Sequence, residues 1–442
     1  MVLDQKSAKI YIDCSATVYS GLNTGIQRVV RNIIRWSTGV NSREFPPVIP
    51  VVVLWGFIFE ISPEVVQINQ SKLITFGSQT KLKVESTRVK VLKSISKYTF
   101  FGRSLVALFE MWDRFLRLIY RVLKYSRVTY FVFISGFRIV KPTCEDTFLF
   151  LDSFWLLDLP ALFRRSLKEC RKKIAVSYDI IPLLYPDLVE EEGCKHFTRS
   201  FDYLIRQVDG LLTISDSVAI EVRQYLKDKN YGLEQLPINH FYLGADFKPK
   251  KDVQIETVRP SIKKIFEGHE DQKIWLMVGT IEPRKNHMFV FQAFDQLWKE
   301  GLEDRLLFVG RIGWKCEDVL ERIENHPYYG SKIIYLDDSS DDELQFCYSK
   351  ASALIFASKT EGFGLPLVEA MHYKIPVLCS DIPVFREVGG DYPEYFSLSD
   401  PRNMAEKIKA WNKALVRELK TGAGFQSWKE SADSIIKKVV EF

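Results

Sequence analysis

Two runs of alternating strand and helix patterns, separated by a charged stretch with prolines, constrain the fold of this chain more than any other feature. The first run predicts strands at 9–13, 48–54, 147–151, 173–177 and 210–214. The second predicts strands at 274–278, 305–309, 332–336, 353–357, 376–378 and 394–396. Strands that alternate with helices form parallel βαβ units. We therefore expect an α/β protein of two Rossmann-like domains that face each other across a cleft.

The stretch between the two runs gives the expected domain boundary. It is charged and contains Pro249 and Pro260, which suits a linker. We predict an N-terminal domain at 1–248 and a C-terminal domain at 261–442. Helical patterns in the second domain lie at 287–299, 341–350, 403–418 and 425–441. The last of these helices is expected to pack back on the first domain.

Composition narrows the class of protein. Of the 442 residues, 46% are hydrophobic, which is enough for two cores. The seven cysteines form no C-x-x-C pair, so we expect reduced thiols in the cytoplasm rather than disulfides or a metal site. No apolar run is long enough to span a membrane. The longest uncharged runs, near 51–59 and 128–137, are predicted to be buried strands.

One segment concentrates positive charge, and we predict a basic amphipathic insertion there, at about 81–130. Residues 81–127 contain 12 Lys or Arg and 3 Asp or Glu, although the whole chain carries only +5. At about 104–127 the apolar and basic residues take separate helical faces, which is typical of a helix on an anionic membrane surface. A helix packed on its own domain with a solvated basic face fits equally well. No aromatic platform or known motif suggests nucleic acid.

The segment 361–369 is the sharpest local pattern. Glu361 and Glu369 flank Gly362 and Gly364, and the segment leads from a predicted strand into a helix. Glycines let the backbone pass close to a ligand, and free N–H groups at a helix start favour an anion or a sugar hydroxyl. Glu361 can accept hydrogen bonds from sugar hydroxyls, and Glu369 can reach a ribose diol. An ordinary turn with a surface Glu is the alternative.

A second loop, 279–286, follows the strand predicted at 274–278. Its adjacent Arg284 and Lys285 suit a diphosphate, because Arg offers a planar fork of donors and Lys a point charge. Fixed cations would stabilise the negative charge that a leaving diphosphate gains. A solvated basic turn is the alternative. His287 comes next and either lines the cleft or lies at the surface of a helix start.

Together, the loops 279–286 and 361–369 resemble the donor site of glycosyltransferase family 4, whose members are retaining enzymes of the GT-B fold. The stretches 309–314, 340–344, 380–383 and 386–391 are similar to that family as well. The resemblance covers nearly the whole C-terminal half. In the N-terminal half it is weaker and rests on 24–28, 179–182 and 215–217.

The resemblance implies roles for particular residues. The catalytic residues would be Glu361, Arg284 and Lys285. The donor would be held by Gly25, Gly279, Arg284, Lys285, Gly362, Phe363, Gly364, Leu365 and Glu369. Tyr178 and Asp179 are acceptor-side candidates. The nucleotide sugar, a GDP-, UDP- or dTDP-hexose, is a substrate, and neither a cofactor nor a metal is implied.

Two positions depart from the family's pattern. Tyr178 stands where relatives commonly have a His at the reaction centre, and Tyr is a poor base at neutral pH because it titrates near ~10. A mechanism in which the departing phosphate takes the acceptor proton needs no such base. Lys374 stands where relatives often have Gly, and the sequence offers no functional reason for it.

The resulting interpretation is a retaining hexosyltransferase of surface polysaccharide assembly. It would use a glycan or lipid-linked acceptor, with mannosyl- or rhamnosyl-type transfer as the first hypothesis. It would be cytoplasmic, or peripheral on the cytoplasmic face of the membrane. Two alternatives remain open, namely an inactive GT-B module that binds glycan or membrane, and a GT-B enzyme of other chemistry such as an epimerase. A phosphorylase is disfavoured because no pyridoxal-phosphate lysine motif is visible.

Overall fold

The structure is a computed structural model that describes residues 8–20, 25–38, 45–68, 126, 128–245, 255–268, 271–413 and 426–442. The basic helix predicted at about 104–127 lies outside these residues except for position 126. The chain divides into two compact units. Unit 1 comprises residues 1–176, 207–209 and 439–441, and unit 2 comprises residues 177–206, 210–438 and 442.

Strands and helices alternate along the described chain. The strands are β1 Ile10–Asp13, β2 Val48–Leu54, β3 Phe57–Glu60, β4 Arg138–Val140, β5 Thr147–Phe150, β6 Lys172–Ser177, β7 Gly210–Thr213, β8 Ile238–His240, β9 Ile274–Val278, β10 Arg305–Val309, β11 Ile333–Leu336, β12 Ala353–Phe356, β13 Val377–Ser380 and β14 Glu394–Phe396. The α-helices are α1 Ser15–Ser20, α2 Gly25–Thr38, α3 Pro63–Gln67, α4 128–134, α5 Leu159–Arg165, α6 Ile181–Leu184, α7 Glu191–Ile205, α8 Asp216–Asp228, α9 Pro260–Lys263, α10 His287–Lys299, α11 Glu317–Glu324, α12 Asp341–Lys350, α13 Leu365–His372, α14 Pro383–Gly389, α15 Pro401–Lys413 and α16 Trp428–Glu441.

The strands form two sheets. The first has the order β4-β3-β2-β1-β5-β6-β7-β8, and the second has the order β11-β10-β9-β12-β13-β14. In the first sheet β1 is parallel to β2 and β5, whereas β3 is antiparallel to β2 and β4. In the second sheet β9 is parallel to both β10 and β12. The α/β fold class, with two mostly parallel sheets, is thus confirmed.

Each sheet has a point at which its strand order reverses. In the first sheet β1 lies between β2 and β5, and in the second β9 lies between β10 and β12. Connections on the two sides of such a strand run in opposite directions and leave a crevice beyond the carboxyl ends of the strands. Ligands of open α/β sheets bind in this crevice. The loops that follow β1, β5, β9 and β12 are therefore the expected ligand-binding loops.

Burial explains why the strands of the second sheet are so apolar. Every residue of β9, β10, β12 and β13 is buried, which is expected when helices cover both faces of a parallel sheet. On one face Trp275 packs against Trp411 of α15, with ring centroids 5.2 Å apart. These rigid strands fix the loops at their carboxyl ends.

Most of the strands predicted from sequence are confirmed, but the two uncharged runs differ from the prediction. The run 51–59 is a hairpin of β2 and β3 whose turn is formed by Trp55 and Gly56, both with positive φ. The run 128–137 is wrong as a strand, because residues 128–134 form helix α4. A short apolar run cannot be assigned to strand or helix from its periodicity alone.

Lys374 has a structural explanation. It follows α13 with φ of 55°, in the left-handed region, and its N–H donates to the Met371 carbonyl at 3.0 Å. The next N–H, of Ile375, donates to the Ala370 carbonyl at 3.1 Å. This is a Schellman C-cap, in which Gly is preferred because it has no Cβ. The Gly that relatives often have here is therefore explained by the left-handed backbone conformation. Lys374 adopts the same conformation at some cost in backbone strain.

Candidate active site

Two loops of unit 2 emerge at the strand reversal of the second sheet. β9 leads into loop 279–286, and β12 leads into the loop that ends at α13. Because β9 and β12 are parallel neighbours, both loops leave the same edge of the sheet. The Lys359 N–H donates to the Arg284 carbonyl at 2.8 Å and ties the loops together. The two loops singled out by sequence therefore form one site.

Glu361 lies at the centre of a charged cluster in this site. Its Oε1 is 2.5 Å from Lys285 Nζ, and its Oε2 is 2.5 Å from Arg284 Nη1. Ser358 Oγ donates to Oε1 at 2.7 Å. Only 8% of the Glu361 side chain is exposed. The structure thus brings together Glu361, Arg284 and Lys285, the three residues that the sequence nominated as catalytic.

A second carboxylate completes the cluster. Arg284 Nη2 lies 2.6 Å from Glu282 Oε1, so the guanidinium bridges Glu282 and Glu361. Lys285 Nζ also lies over the ring of Phe356, 4.9 Å from its centroid. Two formal positive charges thus face two formal negative charges with little exposure to water. The pairing holds both cations in fixed positions, as electrostatic catalysis requires.

The surroundings shift the pKa values of the cluster in different directions. Burial alone would raise the pKa of Glu361, but Arg284 and Lys285 outweigh it and lower the pKa to about 2. Burial lowers the pKa of Lys285 despite the nearby Glu361. For Arg284, the carboxylates outweigh burial and raise the pKa. Glu361 is therefore ionised throughout the physiological pH range.

The loop after Glu361 lies against the segment that contains Tyr178. A Cβ added at Gly362 would come 2.0 Å from the Tyr178 carbonyl oxygen, so only glycine fits there. Ser215 Oγ donates to the Gly362 carbonyl at 2.7 Å from another direction. Phe363 is buried, and its ring centroid is 6.2 Å from that of Tyr242. The backbone of Gly362 is thus in contact with the Tyr178 backbone and with the Ser215 side chain.

The acceptor-side candidates lie within reach of the charged cluster. Tyr178 is buried, with 6% of its surface exposed. Asp179 accepts a hydrogen bond from the Ile181 N–H at 3.1 Å. Burial raises the pKa of Asp179, whereas the charge of Arg284 opposes the rise. The charge of Arg284 therefore lowers the pKa of both Asp179 and Glu361.

The remaining predicted donor residues occupy different environments. Gly364 adopts φ of 97° and caps α13, which begins at Leu365. Glu369, on that helix, is 1% exposed and accepts from Tyr348 Oη at 2.7 Å. Gly279 directly follows β9 with φ of 149°. Gly25 is the first residue of α2 in unit 1 and is exposed.

His287 begins α10 and is a core residue rather than a surface one. It is 2% exposed, and its ring meets that of Phe308 edge to face at 5.0 Å. Neither ring nitrogen has a hydrogen-bond partner among the described residues. Burial, followed by the charge of Lys285, lowers the pKa of His287 to about 3. The interpretation as a surface histidine is therefore wrong, and the ring is neutral at physiological pH.

Four residues help build the site although the sequence analysis gives them no role. These are Glu282, Ser358, Ser215 and Glu387. Glu387 of α14 accepts the N–H groups of Asp216 and Ser217 at 2.7 and 2.8 Å, and so satisfies the first turn of α8. Glu282 could have been found inside its loop as an acid beside two bases. Ser358 lies three residues before its partner Glu361. The partners of Ser215 and Glu387 are distant in sequence, so no local pattern shows these contacts.

Two further observations concern metals and membranes. Among the residues that the structure describes, no three His, Cys, Asp or Glu side chains are placed to share a metal ion. No helix within the described ranges combines the length and the apolar character needed to cross a bilayer.

Comparison with known proteins finds a family similarity in the second half of the chain. Residues 258–418 match the family described as glycosyl transferases group 1. This range contains both loops of the charged cluster. It also contains β9–β14, which position those loops.

Two curated relatives and one solved structure extend the comparison. The chain is 32% identical over 270 residues to the serotype-specific mannosyltransferase WbdA of Escherichia coli, covering 60% of this chain and 33% of WbdA. It is 27% identical over 221 residues to the O-antigen chain mannosyltransferase B of Escherichia coli, covering 50% of this chain and 56% of that protein. The chain thus spans about a third to about a half of these relatives.

The solved structure is that of HepE from Anabaena in complex with UDP and glucose. It superposes with a TM-score of 0.52 at 13% identity, covering 98% of this chain and 96% of HepE. At this identity the likeness concerns the fold alone. The chain therefore has the GT-B fold, and its residues 258–418 match the model of glycosyl transferases group 1.

Proposed function

We propose that this chain is a retaining hexosyltransferase that moves a sugar, with mannose as the first candidate, from a nucleotide sugar to a glycan or lipid-linked acceptor. The observation that carries the proposal is the buried contact of Glu361 with both Arg284 and Lys285 at the strand reversal of the second sheet. This arrangement combines two cations for a diphosphate with an ionised acceptor for sugar hydroxyls. No cofactor or metal takes part in the proposed reaction.

The proposed reaction assigns a task to each member of the cluster. The bond between the anomeric carbon and the phosphate oxygen breaks, and the acceptor oxygen bonds to the same face of that carbon. Arg284 and Lys285 stabilise the charge that grows on the leaving diphosphate. Glu361, held ionised by those cations, orients the sugar through its hydroxyl groups. The diphosphate shares the cations with Glu361 and Glu282, which are already in place.

Tyr178 need not act as a base in this reaction. The proton of the acceptor hydroxyl goes to an oxygen of the departing phosphate, which becomes basic as the bond breaks. Tyr178 is buried, and its carbonyl lies against Gly362. We propose that Tyr178 and Asp179 shape the acceptor side of the donor sugar. A base-free mechanism is consistent with Tyr at this position.

The mannosyl hypothesis is supported by relatives rather than by geometry. WbdA and the O-antigen chain mannosyltransferase B both carry mannosyltransferase in their names. Glycan acceptors of surface polysaccharide, and a GDP-linked donor, are the corresponding proposals for this chain. UDP- and dTDP-hexoses remain the competing donors.

A thermal-shift screen against GDP, UDP, dTDP and ADP tests the donor proposal first. A ligand at one hundred times its Kd adds about 2.7 kcal/mol of stability, so a true donor nucleotide raises Tm visibly. The matching nucleotide sugars are then assayed for transfer, with the anomeric configuration of the product read by NMR. An inverted product would contradict retention. No shift with any nucleotide would instead favour an inactive GT-B module.

A further inference from the structure

One cation at the edge of the second sheet has no task in the proposed reaction. Arg311 lies two residues beyond β10, and β10 is the neighbour of β9. Its side chain is half-buried and makes no hydrogen bond or ion pair within the described part of the chain. Burial takes water away from a guanidinium, so a charged group without a protein partner at this edge is a candidate for ligand binding.

The loop that carries Arg311 is fixed against the loop that follows β9. The Ile281 N–H donates to the Arg311 carbonyl at 2.8 Å, and the Gly313 N–H donates to the Ile281 carbonyl at 3.0 Å. A Cβ added at Gly310 would collide with the Gly279 carbonyl group, so this close approach requires a glycine. The backbone at Arg311 is therefore held beside the loop that contributes Arg284 and Lys285.

The surroundings of Arg311 indicate on which side of the site its guanidinium lies. Burial lowers the pKa of Arg311, and the charge of Asp341 opposes this shift. Asp341 begins α12, which follows β11. The strand order is β11-β10-β9-β12, and Glu361 follows β12. Arg311 and Glu361 therefore lie on opposite sides of β9.

This arrangement corresponds to the order of parts in a nucleotide sugar, which has its diphosphate in the middle. In the proposed reaction the sugar lies at Glu361, which leaves the direction of β10 and β11 for the base. There the Ser339 hydroxyl, in the loop between β11 and α12, is buried and has no hydrogen-bond partner among the described residues. The edges of β10 and β11 thus offer a guanidinium and a hydroxyl for hydrogen bonding, with the Asp341 carboxylate close enough to act on the guanidinium.

These groups fit some nucleobases better than others. Guanine, uracil and thymine each carry a carbonyl oxygen beside a ring N–H, so they offer an acceptor to a guanidinium and a donor to a carboxylate or hydroxyl. Adenine has an amino group in place of the carbonyl. Its N–H groups would face the N–H groups of the guanidinium and leave both without a partner.

We propose that Arg311 recognises the base of the donor by donating hydrogen bonds to the carbonyl oxygen of guanine, uracil or thymine. Adenine nucleotides are then rejected, because a site built to hydrogen-bond a particular group discriminates against the analogue that lacks it. This inference rests on the proposed function, since it concerns the donor that the charged cluster binds.

Titration calorimetry of the full chain with GDP, UDP, dTDP and ADP tests the proposal. We expect the parent to bind one of the first three about tenfold or more tightly than ADP. Arg311→Met removes the donors of the guanidinium and keeps an unbranched stem. It should weaken binding of the preferred nucleotide about tenfold and change ADP binding by less than about twofold, so that the preference is lost.

Arg322→Met is the matched control. Arg322 is exposed on α11, and its removal changes the net charge by the same amount. It should leave the affinities for all four nucleotides unchanged. Circular dichroism shows whether the variants are folded, and Arg311→Gln provides a second, polar variant with the same expected loss of preference.

Three results would overturn the inference and leave the proposed function intact. They are a parent that prefers ADP, an Arg311→Met variant that binds the preferred nucleotide as tightly as the parent, and equal losses for that nucleotide and ADP. Equal losses would mean that Arg311 acts on the phosphates or through net charge. A folded parent that binds none of the four nucleotides would contradict the proposed function itself, and this inference with it.

Discussion

Glu361 in unit 2 and Asp13 in unit 1 are both carboxylates at the carboxyl ends of strands next to a strand reversal, but they have opposite electrostatic surroundings. Asp13 ends β1 and Glu361 follows β12, each beside a strand reversal. Asp13 is fully buried near Asp152, which is also fully buried. The two carboxylates accept the N–H groups of Ser15, at 3.1 Å, and Thr17, at 2.6 Å, at the start of α1.

The neighbours, rather than burial, decide the charge of each group. Burial, reinforced by the charge of Asp152, raises the pKa of Asp13 to about 7. Burial also acts on Glu361, but Arg284 and Lys285 reverse its effect and bring the pKa to about 2. A buried carboxylate beside a strand reversal is therefore not by itself a sign of catalysis. The cations that accompany Glu361 separate the proposed site from its counterpart in unit 1.

Removal of the carboxylate from the proposed site should have the largest effect. Glu361→Ala is expected to lower transfer about a hundredfold or more, because Arg284 and Lys285 lose the group that positions them and the sugar loses an acceptor. Glu361→Gln retains the shape without the charge. Initial rates of both variants, with folding checked by circular dichroism, measure the effect. Parent-level rates in Glu361→Ala would exclude the residue from the mechanism.

Removal of one cation should move Glu361 towards the behaviour of Asp13. Lys285→Met is expected to weaken nucleotide diphosphate binding about tenfold or more, because a charge-assisted contact is lost. The pKa of Glu361 should rise from about 2, since one stabilising charge is gone. The acidic limb of the pH–rate profile then shifts to higher pH. Titration calorimetry and rates across pH test both effects.

A matched control for this variant lies in α10. Lys299→Met removes an exposed cation that pairs with Asp295 at 2.7 Å on the helix surface. It should change neither nucleotide affinity nor the pH profile. Equal losses in the two variants would mean that net charge, and not the position of Lys285, controls binding.

Neutralising Asp13 should change how stability depends on pH. Its folded pKa is raised to about 7 from a usual value of 3.8, so the folded state holds the proton more tightly than the unfolded state. Stability is therefore lost as pH rises towards 7, by about 3 kcal/mol between about pH 5 and about pH 8. Asp13→Asn should remove most of this loss. Denaturant unfolding at both pH values measures the loss of stability. The same dependence of unfolding free energy on pH in the parent and in Asp13→Asn would show that Asp13 is not the group responsible.

The smallest expected effect comes from a neutral neighbour of Glu361. Ser358→Ala removes one hydrogen bond of 2.7 Å and leaves both ion pairs in place. We expect a loss of about 1 kcal/mol in unfolding free energy, and no shift of the acidic limb comparable to that of Lys285→Met. A larger shift than in Lys285→Met would show that the hydroxyl, rather than the cations, keeps Glu361 ionised.

The sequence patterns predict the strands of the two sheets and the charged cluster for physical reasons. The fully buried strand β9 is a continuous apolar run, and β10 is apolar after its first residue, Arg305, so the sequence predicts the bounds of both. Arg284, Lys285 and Glu361 follow two such strands, and parallel neighbours bring their carboxyl ends together. The meeting of the two loops was thus a consequence of topology.

Features that depend on distant contacts escaped prediction. The contacts of Glu387 with α8 and of Ser215 with Gly362 join residues more than a hundred positions apart. The effect of the Asp152 charge on the pKa of Asp13 depends on β1 and β5 being neighbours in the first sheet. The exposure of Phe133 was missed because an apolar residue was assumed to be buried. Domain bounds and individual site roles stay predictions.

The close approach of Gly362 to Tyr178 has a consequence for mutational libraries. A side chain at position 362 would strike a backbone oxygen at 2.0 Å, which no rotamer change can move. At position 279 the nearest atom to an added Cβ is Lys285 Cε, at 3.3 Å, on a side chain that can shift. A saturation library read by folding should therefore return glycine alone at 362. The identity of the Tyr178 side chain does not impose this restriction, because the atom that an added Cβ would strike is its backbone oxygen.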